Sequence, residues 1–342
     1  ALTAVGCRFA RRALLWGSEI RTASRMTASA PSPRPSSYST GKVSAAACAA
    51  TPKAGAKEPR TIAFAVNNSR ETAAAFTWAT ANLIKPTDKV LLVHVSDRVS
   101  KDSGQRVLQT FADKCTRRQL CYSTVRVLNS VTAHAIADVC RSNPVDLCIM
   151  GSRGFGPIRR ALLGSVSSAT AQISDCPVMM VKRPKDSAGA FLKVLPRRVF
   201  FHADASEHSK AALRWAEGYL LDRDIDEVVL ITVSRAPTGK FSQDDEWGRV
   251  QTELTYCDYR DSLARSGIDK VSRLSASGPP AEAVLRAASH NSCDVFVAGL
   301  APGRPVFGEA LAMHVAHNAP FPVVVVRAGG RCRWDVSERA GA

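Results

Sequence analysis

No run of eighteen consecutive apolar residues occurs in this sequence, so no membrane-spanning helix is expected. Its ten cysteines include no C-x-x-C pair and no Cys/His cluster at zinc spacing, so no metal module is expected. Nothing in their pattern suggests a secreted disulfide framework. Cys140, Cys148 and Cys293 stand in apolar runs and read as small core residues, whereas the neighbours Cys115 and Cys121 are expected to respond to oxidants. Acidic residues are scarce in two places. Residues 1–57 hold only Glu19 against nine Lys or Arg, so they carry 9 − 1 = +8 of the net charge of +16. Residues 151–174 hold no acid at all.

The first of these gaps points to targeting. Residues 1–57 are Arg-rich, Ser-rich and acid-poor, the composition of an organelle transit peptide. Wound as a helix, Leu2, Val5, Phe9 and Trp16 fall on one side, as an import helix would require, while Leu14 and Leu15 do not. The expected destination is a plastid or a mitochondrion; if the segment is instead a disordered tail without an address, the cytoplasm. The remainder is only moderately basic, so no nucleic-acid partner is expected.

What is present is a repeated unit. At 342 residues, 45% of them hydrophobic, the chain can form two ordinary domains. "TIAFAVNNSRETAAAFTWA" from Thr61 matches "RVFFHADASEHSKAALRWA" from Arg198, and "DKVLLVHVS" matches "DEVVLITVS". "VDLCIMG" matches "CDVFVAG", and "CPVMMVKRP" matches "FPVVVVRAG", in the same order. The expected organisation is a leader over 1–57, a first domain over 60–184, a linker over 185–197, a second domain over 197–328 and a polar tail over 329–342. In the first half, strands are predicted at Ile62–Val66, Val90–Val95, Val125–Leu128, Leu147–Met150 and Val178–Val181. Their continuous apolar runs imply cover on both faces and hence a parallel sheet. Asn68 followed by Glu71 predicts the cap of the first helix. Ala133, Ile136, Ala137 and Cys140 recur at helical spacing. Five strands alternating with four helices give a doubly wound α/β layer, which binds ligands at the carboxyl ends of its strands.

The second acid-poor stretch, "IMGSRGFGPIRRALLGSVSSA", follows the fourth strand and precedes a helix predicted from Ser165. Its glycines let main-chain N–H groups approach an anion, the helix N-terminus adds partial positive charge, and Arg153, Arg159 and Arg160 raise the local potential. Pro157 stands where a Walker loop needs lysine, and Arg159 where a dinucleotide fingerprint needs its third glycine.

The spacing Gly151-x2-Gly154-x9-Gly164-Ser165, with the five-strand order and the "CPVMMVKRP" ending, resembles the universal stress protein family over residues 60–184 and 197–328. The resemblance implies strand order 3-2-1-4-5 and an ATP- or AMP-binding domain, with or without Mg²⁺. Carried over, Ala65, Val66 and Asn67 would border the adenosine, with Val95 beside the base. Met150, Gly151, Ser152, Arg153 and Gly154 would wrap ribose and phosphate. Gly164, Ser165, Val166 and Ser167 would hold the phosphate end. The family's usual Asp is Asn67 here, a loss of charge costing ~1 kcal/mol. The second half has the acid, Asp204, but its loop is three residues shorter, with Pro302 at the second glycine and Glu309 near the third. One working site, in the first half, is therefore expected, with the second half as its structural partner.

The halves are expected to pair as a pseudo-dimer, and the resemblance implies contact through the last strands, 178–181 and 323–326, each an edge that needs covering. His94 has two readings, base-pocket lining and partly buried imidazole. His202 reads as a satisfied core residue, and His314 and His317 as a solvated helix face. Trp78 and Trp215, at equivalent positions, read as packing residues. Asp204 reads as a ribose ligand or as the cap of a helix starting at Ser206. No catalytic residue is singled out. The function expected is adenine-nucleotide binding in a stress or regulatory role, with an unidentified protein partner. The alternatives are a structural subunit that binds no nucleotide and a slow ATP hydrolase.

Overall fold

The computed structural model describes residues 38–41, 59–96, 101–152, 165–182, 196–234, 243–303 and 310–329. The first half runs β1 (Tyr38–Gly41), β2 (Thr61–Ala65), α1 (Arg70–Asn82), β3 (Lys89–Ser96), α2 (Lys101–Arg117), β4 (Cys121–Leu128), α3 (Thr132–Ser142), β5 (Leu147–Ser152), α4 (Ser165–Ile173) and β6 (Val178–Lys182). The second runs β7 (Arg197–His202), α5 (Glu207–Tyr219), β8 (Asp226–Ser234), α6 (Gln243–Arg265), β9 (Val271–Ser277), α7 (Pro280–His290), β10 (Val295–Leu300), α8 (Leu311–Asn318) and β11 (Val323–Arg327).

All eleven strands join one sheet in the order β1-β4-β3-β2-β5-β6-β11-β10-β7-β8-β9. Within each half the five repeat strands are parallel and follow the order 3-2-1-4-5, as the resemblance implies. The inner strands β2, β3, β5, β6, β7, β8, β10 and β11 are rich in apolar residues and buried along most of their lengths because helices cover both faces, whereas β4 and β9, farther out, are only partly covered. Ala133, Ile136, Ala137 and Cys140 are buried on α3 as their spacing requires. Trp78 and Trp215 are buried in the core.

Three local readings are corrected. Strand β4, the third of the repeat, begins at Cys121, four residues before the apolar run at Val125, because Lys89–Ser96 offers a complete parallel ladder to pair with. Tyr38–Gly41, within the segment expected to be a leader, adds an antiparallel edge strand on β4. The cap of α1 is Ser69, not Asn68. The Ser69 hydroxyl accepts from the Thr72 amide at 3.1 Å, which satisfies one of the free N–H groups of the first turn.

The two halves meet where β6 and β11 pair antiparallel, Val323 opposite Met180 and Val325 opposite Val178. Side chains at equivalent positions then reach across. Arg60 clasps Asp88 in its own half, with Nε–Oδ1 2.9 Å, and donates to the carbonyl of Tyr219 at 2.5 Å. Arg197 clasps Asp226 likewise, Nε–Oδ1 2.9 Å, and donates to the carbonyl of Asn82 at 3.1 Å. Lys85 pairs with Asp222 at 2.9 Å. Lys182 Nζ donates to the carbonyls of His317 and Ala319, both at 2.7 Å, and so closes the C-terminal end of α8. His317 is thus an interface residue rather than part of a solvated face: its Nε2 lies 3.1 Å from the Ser168 hydroxyl.

Candidate functional site

Strands β2 and β5 are neighbours from which the chain winds off in opposite directions. The crevice above their carboxyl ends is the switch point where doubly wound sheets bind ligands. Several candidate residues converge there. Ala65 ends β2 directly opposite Met150 on β5. Val66 is buried, and its amide donates to Val93 on β3. Val95 lies two residues further along β3, beyond the end of β2, packed at the margin of the core. Gly151 and Ser152 end β5, and Ser165, Val166 and Ser167 form the first turn of α4. Ser165 is exposed and Ser167 buried. Arg153, Gly154 and Gly164, with Arg159 and Arg160, lie outside the described residues.

Two of these residues have structural duties that were not legible beforehand. A Cβ on Gly151 would sit 2.8 Å from the main-chain N and Cα of Thr72, so its missing side chain admits the first turn of α1. Gly299, its equivalent, is tighter: a Cβ there would lie 2.1 Å from the carbonyl oxygen of His208 on α5. Both glycines are therefore required by the close approach of helix and strand, whatever else they serve. Asn67 is also engaged. Its Oδ1 accepts from the Thr72 hydroxyl at 2.7 Å and the Ser69 amide at 3.0 Å, an Asx turn that organises the start of α1. Asn67 is exposed, and with Oδ1 so engaged its Nδ2 is the group left to donate elsewhere.

Ser152 was singled out only by its place beside the glycines, and the structure gives it a sharper character. It is 1% exposed, and its hydroxyl has no hydrogen-bond partner among the described residues. A buried hydroxyl without a partner costs free energy, so this position calls for a group that the strand itself does not supply. His94 resolves to a buried imidazole whose Nδ1 lies 2.8 Å from the Val66 carbonyl, which fixes that nitrogen as the donor and ties β3 to the end of β2.

A partly open cavity of about 220 Å³ lies at the equivalent place in the second half. His202, Asp204, His208, Ser209, Gly299 and Leu311 are among its walls. His202 Nδ1 approaches Asp204 Oδ2 at 3.2 Å, and the Ser206 amide donates to Asp204 Oδ1 at 2.9 Å. The Ser206 hydroxyl also donates to Asp204, and Tyr259 donates to the Asp204 carbonyl at 3.1 Å. Burial pushes the Asp204 carboxyl up, but the His202 ring and the two Ser206 donors outweigh it and hold it well below the usual carboxylate range. Asp204 thus braces Ser206, which is the cap of α5, and does not cap the helix itself. His202 is satisfied, as expected, but through this carboxylate and at a cavity wall.

The expectation for Cys115 is corrected. It is fully buried in the core, and burial pushes its thiol up to about 12, which removes the thiolate an oxidant would attack. Cys121 is disulfide-bonded and so is not a free thiol. Among the described residues no group of three His, Cys, Asp or Glu is placed to hold a metal ion, and no helix is long and apolar enough to cross a membrane.

Comparison with known proteins gives a consistent picture. The Universal stress protein family model matches residues 58–182 and again 196–327. Universal stress protein YxiE of Bacillus subtilis (strain 168) is 32% identical over 82 residues, 24% of this chain and 55% of its own length. Universal stress protein PHOS32 of Arabidopsis thaliana is 30% identical, over 41% of this chain and 70% of its own. The chain therefore spans little more than half the length of YxiE. Among solved structures, a universal stress protein from Archaeoglobus fulgidus DSM 4304 superposes with a TM-score of 0.58 at 17% identity, covering 79% of this chain and 98% of that one. At that identity the likeness shows the fold.

Proposed function

Because the chain belongs to the universal stress protein family and carries its domain twice, we propose that it is an adenine-nucleotide-binding regulatory protein whose first half takes ATP or AMP. The observation that carries the proposal is the buried, unpartnered hydroxyl of Ser152 at the end of β5, where the Gly151-x2-Gly154-x9-Gly164-Ser165 spacing begins. A ligand phosphate or ribose oxygen would supply the missing partner. In this reading Ala65, Val66 and Val95 border the adenosine. The Asn67 amide faces it as a donor, since its oxygen is held by α1. Met150, Gly151, Ser152, Arg153 and Gly154 flank ribose and phosphate, and Gly164, Ser165, Val166 and Ser167 close the phosphate end. Arg153 adds positive charge where no acid lies between residues 151 and 174. With Asn67 in place of a carboxylate, any Mg²⁺ arrives with the nucleotide and is held by its phosphates. Occupancy changes the surface around residues 151–165, and a protein partner reads that change in a stress or regulatory response.

Calorimetric titration of the full chain with ATP and AMP, with and without Mg²⁺, tests this. One site per chain is expected, lost in Gly164→Glu and kept in His202→Ala. No heat at millimolar nucleotide, or loss in His202→Ala with retention in Gly164→Glu, overturns it.

A further inference from the structure

Helix α6 is apolar on two opposite sides. At 3.6 residues per turn, Thr255, Tyr259 and Leu263 stack on one side, and all three are buried against the sheet. Trp247, Val250 and Leu254 stack on the other and are 72%, 44% and 56% exposed. The spacing of three and four residues makes one continuous stripe on the outward side. Residues 246–251 are exposed without exception, so the helix projects past the body it packs on. An isolated turn of this kind containing Gly248 is marginal in water by itself.

The fold does not demand this stripe, as the first half shows. Its counterpart, α2, buries Leu108, Phe111, Ala112 and Cys115 on the inner side. Its exposed positions are Gln105, Arg106, Gln109, Thr110, Asp113, Thr116 and Arg117, all polar. Over its described side chains, from Gln105 on, the same element in the same architecture therefore carries a polar outer face. In α6 the outer side holds three large apolar side chains, one of them a tryptophan, a residue type enriched among interface anchors.

Charge and area decide what covers the stripe. Helix α6 holds Asp244, Asp245, Glu246, Glu253, Asp258 and Asp261 against Arg249, Arg260 and Arg265, a net of 3 − 6 = −3 in a chain of +16. Two copies of such a helix face to face would set acid against acid. A tryptophan, a valine and a leucine offer roughly 300–400 Å² of apolar surface, far below what an interface between two whole chains needs but well matched to one helix. We propose that the outward side of α6 docks a basic amphipathic helix of a partner protein, with apolar side chains at i, i+3 or i+4 and i+7 on the stripe and Lys or Arg along its flanks. This surface does not rest on the nucleotide reading and would operate with or without a ligand in the first half.

The test uses the full chain and two labelled 18-residue helical peptides that share one leucine face, flanked by Lys/Arg in one and by Glu in the other. Fluorescence anisotropy is expected to show the basic peptide binding at least tenfold more tightly than the acidic one. Trp247→Ser and Val250→Lys, both at exposed positions, are each expected to weaken it at least tenfold while the melting temperature holds. Equal binding of the two peptides, or undiminished binding by both variants, overturns the proposal. So does a concentration-dependent dimer in sedimentation that Trp247→Ser abolishes, which would give the stripe to a second copy. Tighter binding to phosphatidylcholine/phosphatidylserine vesicles than to the peptide, lost in Trp247→Ser, would give it to a lipid surface and overturn it as well.

Discussion

A glycine in a sequence announces freedom from a side chain without saying what fills the space. Gly151 heads the phosphate-loop spacing, yet its missing Cβ is occupied by the main chain of Thr72, and Gly299 faces the His208 carbonyl still more closely. Gly151→Ala is accordingly expected to destabilise the chain by about 1–3 kcal/mol through overpacking, and Gly299→Ala by more, since backbone must move in both. Urea unfolding of the two variants checks the order; a neutral Gly299→Ala would contradict the packing account. The serine beside Gly151 behaves in the opposite way. Its position in the motif was legible, but its burial and lack of a partner were not, because both depend on which strands and helices surround the end of β5. Asn67 and Asp204 share a further lesson. The acceptor was read as a ligand contact at Asn67 and as ribose ligand or helix cap at Asp204, and in both halves it serves the helix that follows.

At the scale of elements, helix ends carry the information that periodicity leaves out. The apolar runs located the strands closely, since a strand covered on both faces has to be continuously apolar. The start of β4 escaped because Cys121–Thr124 is too mixed to announce a strand, and a parallel ladder with β3 makes it one. The end of α8 is closed by Lys182, a residue from the other half. Burial pushes its ammonium down from 10.5 to about 8. Below pH 8 both folded and unfolded chains hold the proton, and the cost of burying the charge is fully felt. Between pH 8 and 10.5 the unfolded chain binds more protons, so this group adds stability as pH rises, on the order of 2–3 kcal/mol across the window. The stability of the native protein relative to Lys182→Met, measured by urea unfolding, is expected to grow between pH 7.5 and 10. A difference that stays flat or shrinks would show that the carbonyl contacts keep the ammonium charged.

On the scale of the whole molecule, the two halves form one sheet through β6 and β11, and their likeness makes the contact nearly two-fold. Arg60 and Arg197 stand at equivalent positions and make equivalent reaches across it. Lys85 and Asp222 are also equivalent to each other, and there the repeat has diverged into opposite charges that pair. Two first halves would bring Lys85 against Lys85, and two second halves Asp222 against Asp222, so the pair favours contact between unlike halves. Lys85→Asp and Asp222→Lys are each expected to lower stability by about 0.5–1 kcal/mol, the modest scale of a half-exposed pair, and the double exchange to restore it. Thermal unfolding of the three variants measures this. Additive losses in the double variant would reduce the contact to a coincidence of surface charge.

The sequence by itself determined the repeat and the doubly wound sheets, which follow from local periodicity and from motifs read along the chain. The strand order and the pairing of the last strands came through its family resemblance. Tertiary structure alone decided which hydroxyl is left without a partner, which glycine is filled by a helix and which carboxylate braces a cap. It also decided that α6 turns apolar side chains both inward and outward. Burial and hydrogen bonding belong to the neighbours that folding brings together, and no residue's neighbours are written in its own place along the chain.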